Sequence, residues 1–427
     1  MESKKDFSKS LYDLFFDICI IGGGASGMSA AISAMETNPA LRVCIIEKKQ
    51  ELGKKLLATG NGKCNITNKF CNDFEFVEKF LNHTGIILRE DCEGRMYPNS
   101  EQSLAVVELL KRRIKTLNIA TFTSCNVLDI SKDKKDKEEL FNITIDCEKE
   151  KVSVPCKKVI IACGGKAGPQ FGTTGDGYTM AKNFGHSIKK VYPVLMPIEC
   201  EEIKKELKGV RAKAKVCLLK NEQIIAEEQG EIQFTEEGLS GICIFNLTRF
   251  INLQEHMDIP LHEAFKKYSI EIDFLPWMEE CEVIEFLKER RFDLASLKPE
   301  FFLASVVNMK LAKVIVESVV GSDIASIGNI DYESVEEIAM LLKSSRYIIT
   351  GAKGWKDAQC TGGGIPLEET NLQNMESNIQ RGLYFAGEVL DFDGPCGGYN
   401  LHHAWTTGLK AGKGAALSLT KNMVIGE

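Results

Sequence analysis

The sequence predicts an α/β fold: a parallel sheet carrying helices, interrupted by an insert with a β part and a helical part. Three observations predict it. The stretch FDICIIGGGASGMSAA, Phe16 to Ala31, reads as strand, glycine turn and helix. A second apolar run, Leu41 to Ile46, ends in Glu47. Near the other end, Leu383 to Ala386 is a third such run and ends in Gly387-Glu388. Both ends of the chain therefore return to one sheet, and residues 191–343 lie outside it.

Ile18 to Ile21 is the apolar, β-branched run of a strand buried on both faces. It enters Gly22-x-Gly24-x-x-Gly27 and then a small-residue helix beginning at Met28. Gly22 makes the tight turn, Gly24 lets the backbone approach a pyrophosphate, and Gly27 lets the helix pack close to the strand. The helix N-terminus offers free N–H groups and partial positive charge to the phosphates. Glu47 lies 20 positions beyond Gly27, where a ribose hydroxyl needs an acceptor. This is a Rossmann dinucleotide unit, and the motif alone does not separate FAD from NAD.

After Glu47, Thr59 to Asn68 (TGNGKCNITN) has neither helical nor strand period and suits a loop against a polar ligand. Residues 72–90 read as helical, Gly94 to Pro98 as a turn, and Ser103 to Leu117 as a helix by the spacing of Leu104, Val107, Leu110 and Ile114. Four strands follow over 119–155, with Ser131 to Glu139 as a solvated charged hairpin. Lys158 to Cys163 is another buried strand, running into Gly164-Gly165. Thr174-Gly-Asp176-Gly then precedes a helix, again aiming backbone amides at a ligand. Residues 191–259, with about 330–343, read as the β-rich insert, and 260–329 as a helical cap. Residues 1–190 and 344–427 form the nucleotide-binding domain, closing with Thr361-Gly-Gly-Gly-Ile365 and a helix from Trp405 to Leu419.

Composition narrows the function. At 427 residues, 44% hydrophobic and 26% charged, the chain can bury the cores of two or three domains. A net charge of -7 leaves no broad basic surface, which argues against nucleic acid as a main partner and against a tRNA-modifying role. The 15 cysteines include Cys19 and Cys44 within apolar strands, which predicts buried free thiols in a reducing cytoplasm rather than disulfides. No C-x-x-C pair occurs, so no metal is expected. MESKKDFSKSLYDLF lacks the apolar stretch of a signal peptide, and no run of about 18 apolar residues could span a bilayer. The expectation is a cytoplasmic protein with no membrane partner. The sequence leaves its oligomeric state open.

The C-terminal part supplies the other half of a cofactor site. A strand ending in Gly387-Glu388, with Asp391 close behind, offers carboxylates to the ribityl chain of an FAD. Gly397-Gly398-Tyr399-Asn400 opens the last helix, whose N-terminus would stabilise negative charge at the pyrimidine edge of a flavin. Together these stretches resemble the BaiN-like flavoproteins, the aminoacetone-oxidase family of NAD(P)/FAD-dependent oxidoreductases. The resemblance spans nearly the whole chain. It rests on Gly22 to Gly27, Leu52 to Asn68, Gly172 to Gly177, Gly230 to Thr235 with Gly238 to Gly241, and Gly387 to Asp391 through Asn400. The chain departs from the family pattern at Glu236, where His is common, at Ile242, where Pro is common, and at His402, where Gln is usual.

The resemblance implies a glutathione-reductase-like FAD domain around a barrel-like and helical insert. It implies that FAD is held by Gly22, Gly24, Ala25, Ser26, Gly27, Glu47, Lys48, Lys55, Thr59, Gly60, Asn61, Cys64, Asn65, Val127, Cys163, Gly164, Gly165, Thr174, Asp176, Gly387, Glu388, Asp391, Gly398, Tyr399, Asn400 and Leu401. It also implies a small-molecule substrate: reduction of a carbon–carbon double bond in a steroid or bile-acid-like compound, or oxidation of an amine with release of peroxide. A non-catalytic FAD-binding protein is the third expectation. No second strand–GxGxxG–helix unit is visible, so NADH or NADPH would visit the flavin transiently. Alkene reduction needs a proton donor, and His402, Tyr399 and Cys64 are the candidates by their place in the flavin motifs.

Overall fold

Phe16–Ile21 (β1) is buried at every position from Ile18 onward, as a strand covered on both faces must be. A computed structural model of the chain describes residues 15–135, 138–147, 150–251, 263 and 265–424. The N-terminal residues read above for targeting signals lie almost wholly outside these. β1 leads through the glycine turn into α1 (Ala25–Thr37) and back to β2 (Val43–Ile46), parallel to β1 in the register Ile18↔Val43 to Ile21↔Ile46.

Then come α2 (Lys54–Ala58), β3 (Thr67–Asn68), α3 (Phe74–His83), β4 (Leu88–Glu90), β5 (Arg95–Pro98) and α4 (Ser103–Thr116). β3, β5 and β4 form a small antiparallel sheet. The sequence reading made 72–90 helical throughout and 94–98 a turn. Strands of two to four residues carry no countable period and exist only through their pairing. β6 (Ala120–Phe122), β7 (Cys125–Lys135), β8 (Glu138–Cys147) and β9 (Glu150–Ile161) complete the main sheet in the order β6-β2-β1-β9-β8-β7. Cys125 and Cys147 sit opposite each other in the β7–β8 register and form a disulfide. The expectation of free thiols throughout is corrected there, because facing strand positions bring two side chains of distant sequence together. α5 (Asp176–Asn183) and β10 (Lys189–Val194) follow.

Val194–Ala358 forms a compact unit of its own. It contains β11 (Ile198–Cys200), β12 (Arg211–Lys220), β13 (Gln223–Phe234), β14 (Gly238–Ser240), α6 (Ile242–Thr248), β15 (Tyr268–Asp273), α7 (Glu280–Asp293), α8 (Met309–Val320), α9 (Tyr332–Lys343) and β16 (Ser345–Ala352). Six strands close a barrel in the order β11-β14-β13-β12-β15-β16, which leaves no open edge. Two boundaries differ from the sequence reading. β15 falls inside the stretch read as helical cap, and β16 inside the stretch given to the nucleotide-binding domain. Both belong to the barrel because β15 pairs antiparallel with β12 and with β16, at Val216↔Ile272 and Ile272↔Ser345.

Gln359 onward rejoins the first unit. β17 (Cys360–Gly364) pairs with β10, and β18 (Leu383–Phe385) joins the main sheet parallel to β9 at Leu383↔Val159. α10 (Tyr399–Val424) packs along α1. The approach is close: a Cβ on Gly412 would lie 2.1 Å from the Ala30 carbonyl oxygen. The core of this unit runs from Phe16 to Ala416 and holds α1 and α10 against the sheet.

Candidate functional site

The first half of the site is the turn between β1 and α1. Gly24 caps α1 without a side-chain bond. Met28 is the first residue of the helix whose N–H is taken up, by Gly24 O at 2.9 Å. The N–H groups of Ala25, Ser26 and Gly27 are left for a ligand. A Cβ on Gly24 would meet nothing within 4 Å, so the turn faces open space. One on Gly27 would lie 1.9 Å from Gly22 O, which is why helix and strand close only over glycine.

Glu47, just past β2, accepts the N–H of Gly23 at 2.7 Å and of Lys49 at 2.7 Å. Its carboxylate is thereby fixed at the rim of the same turn, with lone pairs to spare. Lys48 donates to Thr174 Oγ1 and pairs with Asp176 Oδ2, each at 2.5 Å, tying the start of α5 to the Glu47 segment. Cys125 N–H donates to Glu47 O at 3.0 Å, so β7, with Val127 buried on it, begins against this rim. Cys163, Gly164 and Gly165 follow β9 after Ala162.

The second half centres on Glu388, just past β18. Its carboxylate pairs with Lys55 Nζ at 2.6 Å and accepts Thr361 N–H at 2.9 Å. Thr361 Oγ1 in turn accepts the N–H of Lys166 at 2.8 Å and of Ala167 at 3.0 Å. The loop after β9, strand β17 and the end of β18 thus meet at one side chain. Thr361 is absent from the residues expected above; its TGGG run was legible as a signal, but nothing in it said which atom would be used. Gly387 N–H donates to Thr407 Oγ1 of α10 at 2.9 Å. Asp391 is turned to Lys189, 2.7 Å away.

At the start of α10, Gly398 sits against β3: a Cβ there would lie 2.3 Å from Thr67 O. The Asn65 amide, oriented to accept Gly398 N–H at 3.3 Å, donates to Thr67 O at 3.2 Å. Asn400 clamps Gly394 through both its N–H and its carbonyl, at 2.8 and 2.9 Å. Leu401 packs on the core. Thr59, Gly60 and Asn61 form a turn in which Gly60 and Asn61 are left-handed and exposed.

The three proton-donor candidates fare differently. His402 is buried; Nδ1 lies 2.8 Å from Thr67 Oγ1 and Nε2 2.7 Å from Asn72 O. Burial lowers its pKa. Both ring nitrogens are engaged by protein partners. Cys64 is fully buried, and that burial pushes its thiol up to about 11. His402 thus ties β3 to the loop at Asn72, and Cys64 is enclosed in the core beneath that loop. Tyr399 is half-buried, its phenol pushed up by burial and so protonated.

The pattern of the HI0933-like protein Rossmann domain matches residues 16–80 and 73–414. The chain belongs to this family. As an HI0933-like protein it is an FAD-dependent oxidoreductase. A 3-dehydro-bile acid delta(4,6)-reductase of Clostridium scindens is 33% identical over 421 residues, covering 93% of this chain and 98% of the relative. A ribosomal RNA dihydrouridine synthase of Escherichia coli is 27% identical over 421 residues, covering 92% and 96%. Among solved structures, a 3-ketosteroid delta1-dehydrogenase of Sterolibacterium denitrificans shares the fold at 11% identity and a TM-score of 0.51, covering 95% of this chain and all of that one. The residues present fit FAD: the uncapped N-terminus of α1 opens onto free space at Gly24, and fixed carboxylates stand at Glu47 and Glu388. Among the described residues no helix is long and apolar enough to cross a membrane.

Proposed function

We propose that the chain reduces a carbon–carbon double bond conjugated to a carbonyl in a small hydrophobic, steroid- or bile-acid-like substrate, with NADH or NADPH as a transient electron donor. The observation that carries this reading is the 33% identity over nearly full length to the Clostridium scindens reductase. Bound FAD would supply two-electron chemistry between donor and alkene. The chain's own residues supply placement and electrostatics. The N–H groups of Ala25, Ser26 and Gly27 hold the pyrophosphate, Glu47 accepts from the adenosine ribose, and Glu388, paired with Lys55, accepts from the ribityl hydroxyls. The N-terminus of α10 at Gly398 and Tyr399 stabilises negative charge at the pyrimidine edge.

A second reading has its own observation. The relative named for dihydrouridine also has a name that denotes saturation of a carbon–carbon double bond, in an RNA base. The net charge of -7 favours the small substrate, since RNA binding draws on phosphate neutralisation by cations. One experiment separates these readings. The holoprotein is mixed anaerobically with NADH or NADPH, and bleaching of the bound flavin is followed. The bleached protein is then offered a 3-oxo-4,6-diene steroid or an rRNA fragment. Bleaching, reoxidation by the steroid and a product heavier by one hydrogen molecule are expected. Absence of bleaching at millimolar nicotinamide overturns the donor; reoxidation by RNA alone overturns the substrate; peroxide release from an amine in air would replace the reductase with an oxidase.

A further inference from the structure

Building on the reductase reading, we propose that Arg95 and Tyr97 bind the substrate's carbonyl oxygen, the one conjugated to the double bond. Along β5, Met96 and Pro98 are buried while Arg95 and Tyr97 are half-buried on the opposite face. The β3–β5 register sets Asn68 opposite Arg95, so Asn68 shares that face. Asn68 Nδ2 donates to Gly397 O at 3.0 Å. The face carrying Arg95 and Tyr97 is thus the one that meets the turn opening α10. A Cβ on Gly397 would lie 3.8 Å from Arg95 Nε. Tyr97 lies two positions along β5 from Arg95, on the same face.

Arg95 is anchored on its outer side. It pairs with Glu93, its Nη1 lies 3.9 Å from Asp91, and its backbone N–H donates to Asp91 Oδ1 at 3.0 Å. A guanidinium has five N–H donors in a rigid fork, so these contacts fix its direction without using all of it. Burial pushes the Tyr97 phenol up, so it is a protonated donor beside the cation.

Two such donors match one step of the proposed reaction. Hydride added to the β-carbon of an enone sends the electron pair of the double bond to the carbonyl oxygen. The resulting enolate takes a proton from solvent at the α-carbon. The substrate gains one hydride and one proton, the electrons coming from the nicotinamide-class donor through the cofactor. The negative charge develops on the oxygen, where fixed N–H and O–H donors act most strongly. The pair also sets specificity: an alkene without a conjugated carbonyl gives the donors nothing to hold.

The test uses Tyr97→Phe and Arg95→Met holoproteins and two ligands, a saturated 3-oxo steroid and its 3-deoxy counterpart, titrated by calorimetry. Wild type is expected to bind the oxo ligand more tightly than the deoxy one. In Tyr97→Phe, oxo binding weakens about tenfold, deoxy binding is unchanged, and enone turnover falls about a hundredfold, the loss typical of one oxyanion donor. Wild-type flavin occupancy shows that this variant is folded even if Arg95→Met, which strands Asp91 and Glu93, is not. An unchanged oxo-to-deoxy ratio in Tyr97→Phe, with wild type still reducing the enone, overturns the assignment. If wild type reduces no enone at all, the reductase reading itself has failed and this assignment goes with it.

Discussion

Thr67 Oγ1 and Asn72 O occupy the two ring nitrogens of His402, and burial lowers its pKa. Removing it leaves the buried Thr67 hydroxyl without this partner, at a cost of about 1–3 kcal/mol. His402→Ala is expected to lower the unfolding free energy by an amount in that range, read as a lower urea midpoint at unchanged slope, while the pH profile of turnover keeps its shape. A shifted profile would return His402 to the chemistry. Glu47 makes the opposite case. Its carboxylate is held by two backbone N–H groups at the rim of the pyrophosphate turn, and a hydrogen bond to a charged group contributes about 1.5–3 kcal/mol. Glu47→Gln is expected to weaken FAD binding about tenfold or more, read by titrating apoprotein with FAD and following flavin fluorescence. Glu47 was legible because motif spacing alone places it. Arg95 and Thr361 were not, because their neighbours are brought from distant segments that no local pattern encodes.

The elements show the same division. β1, α1 and β2 follow from apolar runs and glycine spacing, since a twice-covered strand must be apolar throughout. β15 could not be found this way: it has six residues, precedes helices, and is defined by partners more than 45 positions away on β12 and more than 70 away on β16. A further tie fastens the end of α5 to the segment before β18. His186 Nδ1 lies 2.7 Å from Glu369 Oε2 and Nε2 2.7 Å from Ser377 Oγ, its ring edge-on to Phe385 at 4.7 Å. Burial alone would raise the Glu369 carboxyl, but hydrogen bonds from Ser187 and His186 carry it below its ordinary value. A carboxyl depressed in the folded state adds stability that is fully present above its unfolded pKa, about 4.3, and is lost as pH falls through the folded one. Urea midpoints of wild type should therefore drop below pH 4.3 more steeply than those of Glu369→Gln. Parallel curves would show that the carboxylate contributes nothing to this tie.

On the scale of the whole molecule, the return of the C-terminal strand to the N-terminal sheet was readable because both ends carry cofactor motifs, whereas the barrel of the insert was expected from the family resemblance alone, since no local pattern encodes which strands pair. The barrel has its own buried set, including Val216, Ile232, Phe234, Leu239, Ile270 and Ile272, and its strands pair only with one another. The unit built from Met1–Pro193 and Gln359–Glu427 has a separate core and carries every residue assigned above to FAD. Two units with separate cores are expected to unfold in separate transitions. A ligand that binds only the native form of one unit stabilises it by RT ln(1 + [L]/Kd), about 2.7 kcal/mol at a hundredfold excess over Kd. Calorimetric scans with increasing FAD should then show one transition climbing with concentration and the other fixed. Two transitions that climb together would mean that barrel residues help hold the cofactor, and the assignment of the site to the first unit alone would have to be abandoned.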